Sequence, residues 1–246
     1  MSLPVVTSRE QWLTARKQLL AKEKEITRLR DALNTSRRQL PMVRIDKDYV
    51  FDGPAGPVGL LDLFGTGRQL IVQHVMFDPA WDDACPSCTA SLDELSAGLL
   101  GHLRARETAF AAISRAPFAK IAEYRARRGW DFAWYSSYGS DFNYDFHVSL
   151  DATVAPVQFN YRDEAELKEA GLGWTLDGPS EQPGVSCFLR DGAAIFHTYS
   201  TFGRGTEQAG GAYALLDMTA LGRQEEWEEP KGRAAAARKP IPDFAE

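Results

Sequence analysis

The chain has 246 residues, 44% hydrophobic and 25% charged, a balance that supplies a full core and excludes wholesale disorder. Its 34 acidic residues outnumber its 28 basic ones, and the resulting net charge of -6 repels phosphate backbones, so no nucleic-acid partner is expected. The longest apolar stretch, near Leu70 to Phe77, is strand-sized, so no membrane span is expected; the start, MSLPVVTSREQW, lacks the features of a secretory signal, which places the chain in the cytoplasm.

Ser8 to Arg38 reads as one long helix, with Ser8 and Gln11 at capping-box spacing and no Gly or Pro inside. Trp12, Leu19, Ile26 and Leu33 recur every seven residues beside Leu29. This amphipathic segment, residues 1–40, either lies on its own domain or pairs with another subunit, which leaves a homo-oligomer open.

After Leu40-Pro41 the pattern turns extended, with short pieces at Met42–Ile45 and Tyr49–Phe51 and a turn through Asp52-Gly53-Pro54. Val58–Phe64 fits a strand or a helical turn, and Gln69–Phe77 fits a central buried strand. A Cys-Pro-Ser-Cys sequence then opens a helical stretch running to about Arg106. Thr108–Ile113 reads as a second buried strand, Phe118–Arg128 as a helix ended by Gly129, and Phe132–Ser136 as a third strand. That alternation implies a parallel core with right-handed crossovers. Residues 138–182 read as an irregular insertion whose first part, 138–161, is rich in aromatics. Val185–Leu189, the turn Arg190-Asp191-Gly192 and Ala194–Tyr199 form a hairpin, Thr206–Leu216 a last helix, and 225–246 a tail that is either mobile or draped on a partner.

The chemistry centres on Cys85 and Cys88. At a helix N-terminus the free N–H groups and the macrodipole favour a thiolate, so Cys85 is the expected nucleophile. One turn on, Cys88 lies on the same face and can resolve a mixed disulfide on Cys85. Pro86 pre-sets the first turn, Ser87 lines the site, and Trp81 either lids it or packs in the core. Asp78, Asp82 and Asp83 precede the pair and oppose a thiolate unless they point away. Two other readings stay open: structural zinc, for which a second half-site is missing, and buried inert thiols. Cys187, the remaining cysteine, sits in a predicted core strand.

Further along, Asp141, Asn143 and Asp145 alternate as in an oxygen-ligand metal site, but no downstream Glu completes a calcium loop, so a hydrogen-bonded loop is expected and no metal. His197, Tyr199, Ser200 and Arg204 form a candidate ligand-binding set, with Arg204 able to hold an anion. The other reading of that set is a solvated hairpin edge.

The order strand, C-x-x-C, helix, strand, helix, hairpin and final helix resembles the thioredoxin fold. The strings REQW (Arg9–Trp12), RRQLPMV (Arg37–Val43), DYVFDG (Asp48–Gly53), CPSC, SRAP (Ser114–Pro117), SSYGSDFNYDF (Ser136–Phe146) and HTYSTFGRG (His197–Gly205) resemble a bacterial thioredoxin-like family of unknown function, from about Ser8 to Gln224. The resemblance implies a mixed sheet flanked by helices over residues 41–224 and a redox role. It also implies a proline loop facing the first cysteine and preceding the Val185 strand, where Pro183-Gly184 stands; the count back from the hairpin turn falls on Gly184, one residue from the proline. Thioredoxins carry Trp before the first cysteine and Gly-Pro between the pair, whereas Ala84 and Pro86-Ser87 stand here; Pro79 and Asp83 do not reproduce peroxiredoxin spacing.

The reading that follows is a thiol–disulfide oxidoreductase without a cofactor, since no Gly-rich dinucleotide fingerprint follows a strand. Its partners are a dithiol reductant and an unknown disulfide or oxidised thiol. The alternatives are a peroxiredoxin-like peroxidase and a non-enzymatic binding or assembly module with structural or zinc-bound cysteines.

Overall fold

The computed structural model describes residues 6–208, 211–226, 228–229 and 231. It opens on helix α1 (Arg9–Arg38), whose N-cap Ser8 forms the expected capping box with Gln11. Strands β1 (Val43–Arg44), β2 (Val50–Gly53), β3 (Gly56–Gly59) and β4 (Gln69–His74) follow. Next come α2 (Pro86–Asp93), α3 (Ala97–Arg104), β5 (Thr108–Ser114), α4 (Phe118–Arg128) and β6 (Trp134–Ser136). The chain then runs through α5 (Phe142–Asp145), β7 (Ser149–Leu150), α6 (Glu164–Glu169) and β8 (Ser180–Glu181), before the hairpin β9 (Gly184–Asp191) and β10 (Ala194–Phe202) and helix α7 (Gly211–Asp217).

Eight strands form one mixed sheet in the order β1-β10-β9-β4-β5-β6-β2-β3. The crossovers from β4 to β5 and from β5 to β6 are parallel, as the alternating pattern requires, while β9 pairs with β4 antiparallel. β4 is thus the pivot between the parallel and antiparallel halves. Its residues alternate strictly: Leu70 and Val72 enter one core cluster, and Ile71 enters the other side with Cys187 and Leu215. Helices α2 and α4 cover this second side with Val75, Phe77, Leu92, Ile121 and Trp134, so the sheet is buried on both faces at its centre. The thioredoxin-like fold expected from the element order is the one observed.

The differences from expectation have local causes. The single helix after the cysteines is two helices, because Ser96 caps a fresh start by accepting from the Leu99 amide at 3.1 Å. The hairpin loop is Gly192-Ala193, one residue later than expected, since Ala194 pairs with Asp191 and Gly192 takes φ +57°. The last helix is shorter: a 3-10 turn spans 203–208 and α7 begins at Gly211. Most of the expected tail, including Trp227, lies outside the described residues.

The segment 138–182 is not irregular. It holds α5, the two-stranded pair β7–β8, and α6, which starts at a capping box of Asp163 and Glu166. Its Phe142, Phe146, Val148 and Leu167 bury against Leu70, Val72 and Phe188. The aromatic stretch therefore supplies the layer over the sheet face opposite α2.

α1 departs most from the simpler expectation. Its stripe does not lie on the chain's own domain: Trp12, Leu19, Ile26 and Leu33 are 47%, 51%, 55% and 54% exposed. The helix is tied down at its C-terminal end, where buried Arg38 pairs with Glu228 at 3.0 Å and Arg37 donates to the Asp217 carbonyl. Among the described residues no helix is long and apolar enough to cross a membrane.

Phe142 is fully buried and its ring meets Tyr49, Phe51 and Phe146. Phe142→Ala is expected to lower the unfolding free energy by about 3–5 kcal/mol in urea titration. A loss near zero would show that the segment does not build this face of the core.

Candidate functional site

β4 ends at His74, and the chain continues through Val75 and Phe77 into an acidic loop before returning to the sheet edge. The return is fixed by the Cys85 amide, which donates to the Met76 carbonyl at 2.9 Å. Cys85 is the N-cap of α2 and Pro86 its first residue, so both cysteines stand where sequence placed them. Cys85 is partly exposed, Cys88 is 5% exposed, and no disulfide joins them. Their side chains are neighbours in the first turn of α2.

Burial pushes the Cys88 thiol up to about 12, outweighing the Met76 amide that donates to its sulfur; the neighbouring Cys85 adds to the rise. Cys187 is also raised to about 12 by burial, among Ile71, Leu103 and Leu215, and it belongs to the core. The pair is thus asymmetric, with an accessible thiol first and a protonated, buried one second. That is the order a nucleophile and a resolving thiol require.

Two of the three carboxylates that precede the pair are drawn into ion pairs. Asp78 pairs with Arg115 at 2.9 Å and Asp83 with Arg127 at 2.5 Å. Lys120 donates from α4 to the carbonyls of Pro79 and Trp81 at 2.8 and 2.9 Å. Arg115 also pairs with buried Glu181 at 2.9 Å, tying the loop to β8. These cations all lie beyond the cysteines in sequence, on β5's end and on α4, and no local motif announces them.

A cavity of about 720 Å³ opens on Cys85 and Cys88. Ser87, Pro183 and Gly184 line it, so the structure brings the proline loop to the cysteines as expected. Gly184 fits tightly there: an added Cβ would come within 3.0 Å of Phe202 and 3.1 Å of Val148, so those side chains would have to give way. Trp81 does not lid or floor the cavity; it is 38% exposed in the acidic loop, because Lys120 holds that turn against α4. The sequence reading missed Leu95, Leu99, Phe110 and Leu215, which come to the cavity from α2's end, α3, β5 and α7.

The set His197, Tyr199, Ser200 and Arg204 is not one site. A bulge between His197 and Tyr199 resets the register of β10. Tyr199 faces the α7 side, under the guanidinium of Arg37 at 4.8 Å. His197 and Ser200 face the other side and belong to a buried chain: His74 Nε2 bonds Ser186 Oγ, Ser186 Oγ bonds Ser200 Oγ, and Ser200 Oγ bonds His197 Nε2, each at 2.7 Å. The Arg204 side chain lies outside the described part of the structure. Asp141 and Asp145 both accept from Lys47 at 2.7 Å, and Asn143 accepts from Ser137 at 2.8 Å, so this trio is a hydrogen-bonded loop. Among the described residues no group of three His, Cys, Asp or Glu is placed to hold a metal ion.

A thioredoxin-like fold with a dithiol at the N-terminus of its first crossover helix defines the class. The chain belongs to the bacterial family described as "protein of unknown function (DUF899)", which matches residues 1–239. No curated protein matches it in sequence. Solved structures similar to it include a mutant of peroxiredoxin Q from Xanthomonas campestris, 14% identical over 62% of this chain and 79% of that one, TM-score 0.41. A peroxiredoxin Q mutant from Xylella fastidiosa is 12% identical over 65% and 84%, TM-score 0.40. BsSco, a member of the Sco family of cytochrome c oxidase assembly proteins, is 15% identical over 63% and 81%, TM-score 0.35.

Two outcomes are expected. Iodoacetamide at pH 8 should modify Cys85 in the native protein and leave Cys88 and Cys187 unmodified, since a thiol near pKa 12 is only about one part in ten thousand thiolate there. Peptide mapping reads this directly, and equal labelling of Cys85 and Cys88 would reject the asymmetry. Burial, with the charge of His197 adding to it, lowers the His74 ring from 6.5 to about 3, so the unfolded chain binds a proton that the folded chain refuses. The stability this ring contributes is complete above pH 6.5 and is lost as pH falls toward 3. Urea titrations from pH 7 to 4 should therefore show a shallower acid loss for His74→Gln than for the unaltered chain, by up to about 1.4 kcal/mol per pH unit between pH 5.5 and 4. Parallel curves would exclude a neutral buried His74.

Proposed function

We propose that the protein is a thiol–disulfide oxidoreductase. The observation that carries the proposal is the asymmetry of the cysteine pair: an accessible Cys85 at a helix N-cap, in side-chain contact with a buried, protonated Cys88.

In the forward direction the Cys85 thiolate attacks one sulfur of a substrate disulfide. A Cys85–substrate disulfide forms, the substrate S–S bond breaks, and the second substrate sulfur leaves as a thiol after taking a proton. Cys88 then loses its proton and attacks Cys85 Sγ, releasing the first substrate thiol and leaving a Cys85–Cys88 disulfide. The substrate has gained two electrons and two protons. A dithiol reductant returns the pair to the reduced state. Two features support the order of events. Cys85 is the N-cap residue of α2, beside the free amides of its first turn, while Cys88 is buried within that turn. The ion pairs of Asp78 and Asp83 also turn negative charge away from the attacking sulfur.

Equilibration across a graded dithiol/disulfide buffer, read by mass spectrometry with and without a chelator, tests the proposal. A reversible two-electron transition of Cys85 and Cys88 is expected. Cys88→Ser should accumulate a mixed disulfide on Cys85, and Cys85→Ser should accumulate none. A pair that never oxidises, or that yields its thiols only after a metal is removed, would overturn the enzymatic reading in favour of a binding module.

A further inference from the structure

The cavity on the cysteines has a chemical character that the pair itself does not dictate. Its walls are Met76, Leu95, Leu99, Phe110, Val185 and Leu215, contributed by six different segments of the fold. On the β4 side, Gln73 Nε2 donates to Ser91 Oγ at 3.1 Å and His74 Nε2 is bonded to Ser186 Oγ at 2.7 Å. Among the described residues the single charged side chain on the cavity is Glu94, a carboxylate at the C-terminal end of α2. Among them no lysine or arginine lines it. At about 720 Å³ the space exceeds what a small oxidant fills and falls within the range that encloses a small organic molecule.

We infer that, if the pair exchanges disulfides as proposed above, its substrates are uncharged disulfides with an apolar arm, seated with one sulfur at Cys85 and the arm among Leu95, Leu99 and Leu215. Three physical effects select that class. Each methylene placed against Leu95, Leu99 and Leu215 leaves water and gains contact with those side chains. A substrate carboxylate entering the cavity loses hydration, finds no cation among the described side chains, and meets Glu94. The net charge of -6 on the whole chain lowers the encounter rate for anions in addition. Glutathione disulfide, polar and anionic, is the kind of substrate this cavity turns away.

The chemistry is that of the first half-reaction. Cys85 Sγ bonds to the sulfur bearing the apolar arm, the substrate S–S bond breaks, and the other half departs as a thiol. Electrons come from Cys85, and afterwards from Cys88, with no further reactant needed.

The test uses the full chain carrying Cys88→Ser, which stops the reaction at the mixed disulfide. Dibutyl disulfide, bis(2-hydroxyethyl) disulfide and glutathione disulfide are each mixed with the reduced protein. The rate of adduct formation on Cys85 is read by intact mass and divided by the rate of the same disulfide with free N-acetylcysteine. The expected result is a normalised rate for dibutyl disulfide at least tenfold above that for the hydroxyethyl compound, with glutathione disulfide below both. Leu99→Gln should cut the dibutyl advantage at least threefold. The wild-type side chain at position 99 makes the series complete without that variant, should it fold poorly. Equal normalised rates, or a preference for glutathione disulfide, would overturn the substrate class while leaving the exchange reaction standing. Absence of any adduct with all three would overturn the proposed function itself.

Discussion

Everything at the site hangs on β4, a strand that must be covered on both faces and must pair on both edges. One edge takes β5 in parallel and the other takes β9 antiparallel, so the strand carries the two halves of the sheet. A strand in that position cannot shift register by one residue without turning Leu70 and Val72 to the wrong layer and Ile71 with them. The same rigidity fixes where the chain leaves the sheet. The Met76 carbonyl therefore stands at a defined place to receive the Cys85 amide, and α2 starts from there.

The loop between β4 and α2 shows how long-range charge corrects a local liability. Read along the chain, three aspartates crowd the approach to the first cysteine of the pair. In the fold, Asp78 and Asp83 face guanidinium groups carried by the end of β5 and by α4. Arg115 is itself bound by Glu181, whose carboxyl burial holds above its ordinary range against the pull of that arginine. The aspartates serve as anchors for the loop more than as neighbours of the sulfur. Surface pairs of this kind add little stability, but they decide where the field points.

The opposite face shows a second use of polar groups. His74, Ser186, Ser200 and His197 form a continuous chain of 2.7 Å bonds inside an aromatic layer, with His74 Nδ1 left without a partner. Phe142 and Phe146 flank the His74 ring. A network so nearly enclosed favours one register, because sliding β9 along β4 would break the His74–Ser186 bond and sliding β10 along β9 would break the Ser186–Ser200 bond. The hairpin in turn sets the Pro183-Gly184 loop against the cysteines.

Several parts of this arrangement were legible in the residues alone. The capping box at Ser8, the αL stop at Gly129, the buried strands and the cysteine pair at a helix start are local signals, and each reports a preference of a few neighbouring residues. The position of Pro183-Gly184 was legible through the order of elements. The insertion was misread because aromatic residues spaced for contact with a distant sheet have no period of their own. The capping box at Asp163 and Glu166 was its one local sign. His197, Tyr199 and Ser200 looked like one set because they adjoin in sequence, and a bulge sends them to opposite faces.

Sequence by itself determined the class of fold and the identity of the two thiols, since both rest on short-range backbone preference and on hydrophobic alternation. Only the tertiary structure decided which thiol is buried, where the acidic loop points, whether the α1 stripe is covered and what lines the cavity beside Cys85. Those properties depend on side chains brought together from Arg115, Arg127, Phe110 and Leu215, and burial and charge are summed over space without regard to order along the chain.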